Sequence, residues 1–201
     1  MTSRADRAAA TRDRILDAVI AVLRDGDFHD TSMEAIAARA GVTRVTIYRS
    51  FGTRQALLEG LVLRMLADAR LDQVDAAHAI PDVRTAVRQV LRANCEMFAR
   101  LAEAMPLSLE LARSDAEMQA FVDATYHGRR HRAMEVLAAR VVNEAAAAEG
   151  WTKKRIADAL LVLSSHEAFD TLVERRGYSP ERAADLLFRL SASFLGDPAA
   201  L

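Results

Sequence analysis

Residues 31–61 read TSMEAIAARAGVTRVTIYRSFGTRQALLEGL, and this stretch decides the fold. Thr31 followed by Glu34 predicts a capping box, in which Thr31 caps a short helix and Glu34 reaches back to its start. Gly41 ends that helix, because glycine adopts the left-handed conformation at a helix C-terminus without steric cost. A first short helix is therefore predicted between Thr31 and Gly41.

A second short helix follows almost at once. Thr43 is placed to cap it, and the helix extends from Arg44 to about Phe51. Ile47 and Phe51 are four positions apart and therefore lie on one buried face. Two short helices joined by a tight turn, after a longer helix, indicate a helix-turn-helix in which the second helix is the recognition helix.

The rest of the chain also has helical periodicity, so the fold class is all-α with about nine helices. On either side of the motif, helices are predicted from about Thr11 to Arg24 and from Gly52-Thr53 to about Arg70. Residues 71–81 are interpreted as a connection. The remaining predicted segments are Asp82 to Ala104, a short piece ending near Arg113, Ser114 to about Glu149, Thr152 to Arg176, and Ser179 to about Leu195.

The composition agrees with a helical globular chain and excludes several classes. The chain has 201 residues, 51% of them hydrophobic, and a net charge of −1, which excludes intrinsic disorder and collagen-like sequence. Its single cysteine, Cys95, has no internal disulfide partner. The first residues lack a signal-peptide core, and no run of eighteen apolar residues occurs. We therefore expect a cytoplasmic protein without a membrane segment.

Positive charge is concentrated near the recognition helix. Four arginines and no acid lie between residues 39 and 54, namely Arg39, Arg44, Arg49 and Arg54. A local positive stripe in a neutral protein is suited to DNA phosphates, although a solvated face is the alternative interpretation.

This stretch resembles the DNA-binding segment of the TetR family of bacterial transcriptional regulators. The matching residues are Thr31, Ser32, Ile36, Ala37, Ala40, Gly41, Val42, Tyr48, Phe51, Thr53, Arg54, Leu57 and Leu58. The resemblance implies an N-terminal three-helix helix-turn-helix DNA-binding domain at residues 1–70 and a C-terminal helical effector-binding and dimerisation domain at 71–201. It also implies a ligand-responsive repressor that binds a palindromic double-stranded DNA operator as a homodimer.

The resemblance assigns the DNA contacts to particular residues. Arg44 and Val45 would read bases, and the other contacts would be made to the backbone. The complete predicted set is Thr31, Thr43, Arg44, Val45, Thr46, Tyr48, Arg49 and Arg54. Ser50 stands where many members have histidine, which weakens one expected phosphate contact.

The dimer seam is predicted on the last two helices. Residues 156–163, IADALLVL, are apolar nearly all round. The last helix adds Ala183, Leu186, Leu187, Leu190 and Phe194, and the family resemblance implies a four-helix seam at these two helices. An intramolecular core is the alternative explanation for this pattern.

A small-molecule effector is implied, and polar or bulky residues on apolar helix stripes are its candidate ligands. These are Asn94, Met97, Phe98, Phe121 and His166. Satisfied core groups are the alternative interpretation. The cluster HGRRHR at residues 127–132 either binds an anionic effector or forms a solvated face.

The sequence contains no recognisable catalytic constellation or cofactor motif. His127 and His131 could share a metal ion by their spacing, but no third ligand is identified, so no metal site is predicted. Two other hypotheses remain beside the regulator: a helical dimerisation protein without specific DNA binding, and a small all-helical enzyme.

Overall fold

The structure is a computed structural model that describes residues 3–25, 32–102, 104–105, 110, 116–144 and 146–196. In this part of the chain every regular element is helical, as the sequence predicts. The helices are α1 (Arg4–Arg24), α2 (Met33–Ala40), α3 (Arg44–Phe51), α4 (Arg54–Asp68), α5 (Leu71–His78), α6 (Val83–Arg100), α7 (Ala116–Val122), α8 (Gly128–Asn143), α9 (Lys153–Leu163), α10 (His166–Asp170) and α11 (Pro180–Leu195), with π-helical turns at Asp123–His127 and Thr171–Arg175.

The chain forms two compact units. The first comprises Met1–Ala67 and Glu103–Val122, and the second comprises Asp68–Ala102 and Asp123–Leu201. The first unit therefore includes a segment beyond residue 70, which the sequence analysis places in the C-terminal domain. The described core of the first unit is formed by apolar side chains of α1 to α4: Ile15, Val19, Ile36, Ile47, Leu57 and Leu61.

Helix α1 begins seven residues before the predicted start at Thr11. Ser3 caps it, since the Ser3 hydroxyl accepts from the Asp6 amide while the Asp6 carboxylate accepts from the Ser3 amide. Residues 4–10 are all exposed. An exposed helical turn has no apolar periodicity, so the sequence pattern does not reveal it.

Helix α2 is capped one residue later than predicted. Its N-cap is Ser32, whose hydroxyl accepts from the Ala35 amide at 3.1 Å. Thr31 lies outside the described residues. The predicted end is confirmed: Gly41 has a φ of 64° and its amide donates to carbonyls of the preceding turn.

In the second unit, α6 is the central helix and packs against α5, α8 and α11. It contributes the largest group of buried residues, among them Val87, Leu91 and Phe98. Cys95 is also buried on α6, and burial raises the pKa of its thiol to about 12. The thiol is therefore protonated at neutral pH.

The predicted connection at residues 71–81 is wrong, because most of it forms α5. This helix follows Arg70, which has a φ of 55° and provides no side-chain cap. Only Ala77 is fully buried on it. A short helix without a cap and with a narrow apolar face gives little sequence signal.

Two predicted long helices are interrupted. Helix α8 ends at Asn143 instead of Glu149, and the Ala148 amide donates to the Phe194 carbonyl at 2.8 Å, which holds this segment against the end of α11. Helix α9 ends at Leu163 because Ser165 caps a new helix through the Ala168 amide. The start of α11 at Ser179-Pro180 is confirmed. Ser114 and most of the predicted piece ending near Arg113 lie outside the described residues; in that piece the structure describes residue 110, which is helical.

The cap of α9 provides a stability prediction. The Thr152 hydroxyl accepts from the Arg155 amide at 3.3 Å. We expect Thr152→Ala to lower the free energy of unfolding by about 1 kcal/mol, because one helix-terminal amide loses its partner. Urea denaturation followed by circular dichroism measures this change. Thr152→Ser retains the hydroxyl, so its free energy of unfolding should fall by less than half as much. If both variants lose the same free energy of unfolding, the missing methyl group rather than the cap explains the effect.

Candidate nucleic-acid interface

The turn between α2 and α3 is built from backbone hydrogen bonds and one side-chain cap. The Val42 amide donates to the Ala37 carbonyl at 3.0 Å, which brings the chain back over the end of α2. The Thr43 hydroxyl accepts from the Thr46 amide at 3.2 Å and lies 2.9 Å from the Thr46 hydroxyl. Both threonines are therefore engaged in fixing the first turn of α3.

Helix α3 has one buried face and one exposed face. Ile47 is fully buried and Phe51 nearly so, as predicted. On the other face, Val45 is 63% exposed and Tyr48 39% exposed, and Arg49 is exposed beside them. A short helix that presents apolar, aromatic and cationic side chains together is suited to the major groove of DNA.

Arg44 has two partners within the first unit. Its guanidinium forms an ion pair with Glu34 of α2, and it lies 5.6 Å from the centre of the Tyr48 ring. The pKa of Arg44 is raised, first by a hydrogen bond with Tyr48 and then by the charge of Glu34. Arg44 is thus oriented on the exposed surface before any DNA is present.

The positive stripe is weaker than the sequence suggests. Arg39 pairs with Asp25 at 3.0 Å, and Arg44 pairs with Glu34. Both acids precede the stripe in the chain, so a count over residues 39–54 does not include them. Among the described residues, Arg49 and Arg54 form no ion pair, and they carry the charge available to phosphates.

Arg12 of α1 is a supporting residue that the sequence analysis missed. Its guanidinium lies 4.0 Å from the centre of the Phe51 ring and donates to the Ser50 carbonyl. Helix α4 approaches the same ring closely, since a Cβ at Gly60 would lie 3.1 Å from a Phe51 ring carbon. Arg12 is on an exposed part of α1 and gives no periodic signal. Ser50 itself donates its hydroxyl to the Thr46 carbonyl at 2.9 Å.

Arg54 opens α4, where Thr53 caps the helix by accepting from the Ala56 amide at 3.0 Å. The cap is as predicted. Arg54 is exposed, and unpaired amides at a helix start attract anions. The two features together form a suitable phosphate contact.

The candidate effector residues lie in different surroundings. Asn94 and Met97 line a cavity within the second unit. Phe98 is buried and contacts the ring of His166 edge-on, with 5.4 Å between ring centres. Phe121 is half-buried on α7. The structure therefore brings two of the five candidates onto one cavity.

The basic cluster at residues 127–132 is divided between surface and interior. Arg129 pairs with Asp75 of α5, and Arg130 donates to the Leu161 carbonyl and, at 3.1 Å, to the Ser164 hydroxyl. His131 and Arg132 are exposed. The interpretation as a solvated face balanced by acids fits Arg129, His131 and Arg132, whereas Arg130 is part-buried.

Comparison with known proteins identifies the first unit. The sequence profile described as "Bacterial regulatory proteins, tetR family" matches residues 15–61, from within α1 to within α4. The first unit thus resembles the regulators of the tetR family. Among curated relatives, this chain is 42% identical over 69 residues to the HTH-type transcriptional regulator AlkX of Mycobacterium tuberculosis. That match covers 34% of this chain and 32% of AlkX, so it spans about a third of the relative's length.

Solved structures resemble this chain over nearly all its length. NalD, the secondary repressor of the MexAB-OprM multidrug efflux pump in Pseudomonas aeruginosa, has a TM-score of 0.72 at 23% identity, covering 96% of this chain and 99% of NalD. SmeT, the repressor of the Stenotrophomonas maltophilia efflux pump SmeDEF, has a TM-score of 0.70 at 23% identity in its triclosan complex, covering 96% and 94%. At these identities the likeness establishes the fold.

The relatives are transcriptional regulators and not enzymes. In the described part of this chain, none of the helices combines the length and hydrophobicity that crossing a membrane requires. The individual DNA contacts of Thr43 to Arg54 stay predictions.

Proposed function

We propose that this chain is a ligand-responsive transcriptional repressor that binds a palindromic DNA operator as a homodimer. In this proposal residues 1–70 bind DNA and residues 71–201 bind a small-molecule effector and form the dimer. The observation that carries it is the exposed face of α3, where Val45, Tyr48 and Arg49 project from a capped and internally packed helix-turn-helix. Acting on chromosomal DNA, the protein would function in the cytoplasm.

The roles of the exposed residues follow from their chemistry. Arg44 offers the bidentate donors that recognise guanine, and Val45 offers an apolar contact for a thymine methyl group. Arg49 and Arg54 are free of ion pairs among the described residues and are assigned to phosphates. Specificity would therefore come from the start of α3, and affinity from the flanking arginines.

A symmetric dimer supplies the second recognition helix. Helices α9 and α11 pack together, and each leaves a large apolar side chain in solvent: Val162 is 67% exposed and Leu190 is 54% exposed. A second copy that covers these side chains would present two α3 helices, ~34–36 Å apart, to successive major grooves. The repressors NalD and SmeT, one of them with triclosan bound, support the same assignment by their fold.

The function is tested by gel-shift assays with the DNA upstream of the chain's own gene. We expect specific binding that weakens steeply between about 50 and 200 mM salt, because phosphate contacts release counterions. Sizing in solution should give a dimer. A monomer without affinity for any promoter fragment would contradict the proposal.

The assignment of Arg44 to a base and of Arg54 to a phosphate gives a second prediction. Arg44→Ala should lower affinity by about 10- to 100-fold at one base position of an operator library, because a bidentate base contact is lost. Arg54→Ala should weaken binding to all sequences about equally. Arg176→Ala, an exposed arginine of the second unit, changes the net charge identically and is the control. If Arg44→Ala and Arg54→Ala give the same profile across the library, the assignment of base reading to Arg44 is wrong.

A further inference from the structure

The second unit contains a cavity of about 40 Å³ between α5, α6, the first π-helical turn and α8. Part of its wall is apolar and part is polar. Six of its lining residues carry the argument: Val74, Met97, Met134, His78, Tyr126 and Arg130. A cavity of this size has room for a few water molecules or for a ligand of only a few heavy atoms.

The polar side of this cavity is unsatisfied. Three buried polar atoms have no hydrogen-bond partner in the described part of the chain: His78 Nε2, Tyr126 Oη and Arg130 Nε. Each of these residues lines the same cavity. Leaving a buried polar group unpaired is costly, and native structures rarely do so without a ligand or an ordered water.

The three groups are held in place by contacts outside the cavity. Arg130 uses its Nη2 atom for Leu161 and Ser164, which fixes the guanidinium and leaves Nε free. Tyr126 lies in the π-helical turn Asp123–His127, a rare geometry that recurs at functional sites. Arg140 donates to the His78 carbonyl at 2.8 Å and so holds the end of α5.

The charge of the cavity is positive. Asp75 also lines it, but that carboxylate is paired with Arg129. Glu167 is the acid that acts on Arg130 from α10, yet it is exposed and forms no ion pair with it. Burial lowers the pKa of His78, so the imidazole is neutral at pH 7. Burial raises the pKa of Tyr126 to about 12, so its hydroxyl remains a donor.

We propose that this cavity binds a small monocarboxylic acid with an apolar body, its carboxylate accepting from Arg130 Nε and Tyr126 Oη and its body lying against Val74, Met97 and Met134. A carboxylate has acceptor oxygens for both donors and balances the guanidinium charge, which a neutral ligand does not. This inference rests on the proposed function, in which such an acid is the effector.

Binding is tested by calorimetry without DNA. The probes are acetate, propionate and butyrate, acids small enough for this cavity, each beside its primary amide. We expect at least one acid to bind with a Kd below about 1 mM, at least about 10-fold more tightly than its amide. The test contradicts the proposal if no acid binds, or if acids and amides bind alike.

Tyr126→Phe separates a ligand contact from a structural role. The change removes a hydroxyl that has no partner among the described residues, so the ligand-free protein should be as stable as the wild type or more so. Affinity for the acid should fall about 5-fold. Tyr178→Phe removes an exposed hydroxyl outside the cavity and is the matched control, expected to change neither quantity.

If Tyr126→Phe binds the acid as tightly as the wild type does, the acid does not contact the Tyr126 hydroxyl. If the variant is less stable than the wild type without ligand, the hydroxyl has a structural partner such as an ordered water. Either result overturns the proposal. Arg130→Lys gives a second check, since it keeps the charge but loses Nε, and it should also bind the acid more weakly. The gel-shift assay keeps the two failures distinct. Specific DNA binding without acid binding contradicts only this inference, whereas acid binding without DNA binding contradicts only the proposed function.

Discussion

Replacing Tyr48 and Arg49 together with alanine is expected to lower specific DNA affinity by about 100-fold or more. Both side chains are exposed on α3 and have no place in its core. Arg49 lacks an ion pair within the described residues, so its charge is free for a phosphate. In a homodimer each change occurs twice, and the losses combine.

The salt dependence of binding distinguishes a phosphate contact from a general loss of fit. Losing one arginine–phosphate contact in each subunit should reduce the slope of log K against log salt by about two. Tyr48→Phe keeps the ring near Arg44 and removes the hydroxyl, so it separates the contacts of the hydroxyl, including its hydrogen bond with Arg44, from those of the ring. Binding that survives the double replacement would show that α3 is not the recognition helix.

Phe51→Ala is expected to lower the free energy of unfolding of the first unit by about 3–5 kcal/mol. The Phe51 ring is nearly fully buried, lies under the Arg12 guanidinium at 4.0 Å, and fills the space beside Gly60. Truncation removes buried apolar surface and leaves a cavity where α1, α3 and α4 meet. Urea denaturation at constant protein concentration measures the loss.

Val45→Ala provides the matched control on the same helix. Val45 is 63% exposed, so its truncation should change the free energy of unfolding by no more than about 0.5 kcal/mol. Equal destabilisation by the two variants would mean that helix propensity, rather than packing of Phe51, governs the stability of α3.

Local signals in the sequence predicted much of the first unit. Gly41, Thr43 and Thr53 act on residues within a few positions of themselves, so the turn and both caps could be inferred from their spacing. The burial of Ile47 and Phe51 followed from helical periodicity. These features depend on neighbours in the chain, and the structure confirms them.

Features that depend on distant residues could not be inferred in this way. Glu34 reaches Arg44 only after α2 and α3 fold against each other, so the stripe seemed free of acid. The cavity joins His78, in a segment that lacked a helical pattern, with Tyr126 and Arg130, which follow 48 and 52 residues later. Asn94 lines the same cavity, but its amide donates to the Val90 carbonyl at 2.8 Å.

The buried thiol of Cys95 has a practical consequence for testing the proposed homodimer. It is the chain's single cysteine and stays protonated, so thiol-directed reagents should leave the native protein unlabelled. A cysteine introduced at Val45 would then be the one reactive position in each subunit. Spin labels attached there would report the separation of the two α3 helices, with and without an added acid, by electron paramagnetic resonance.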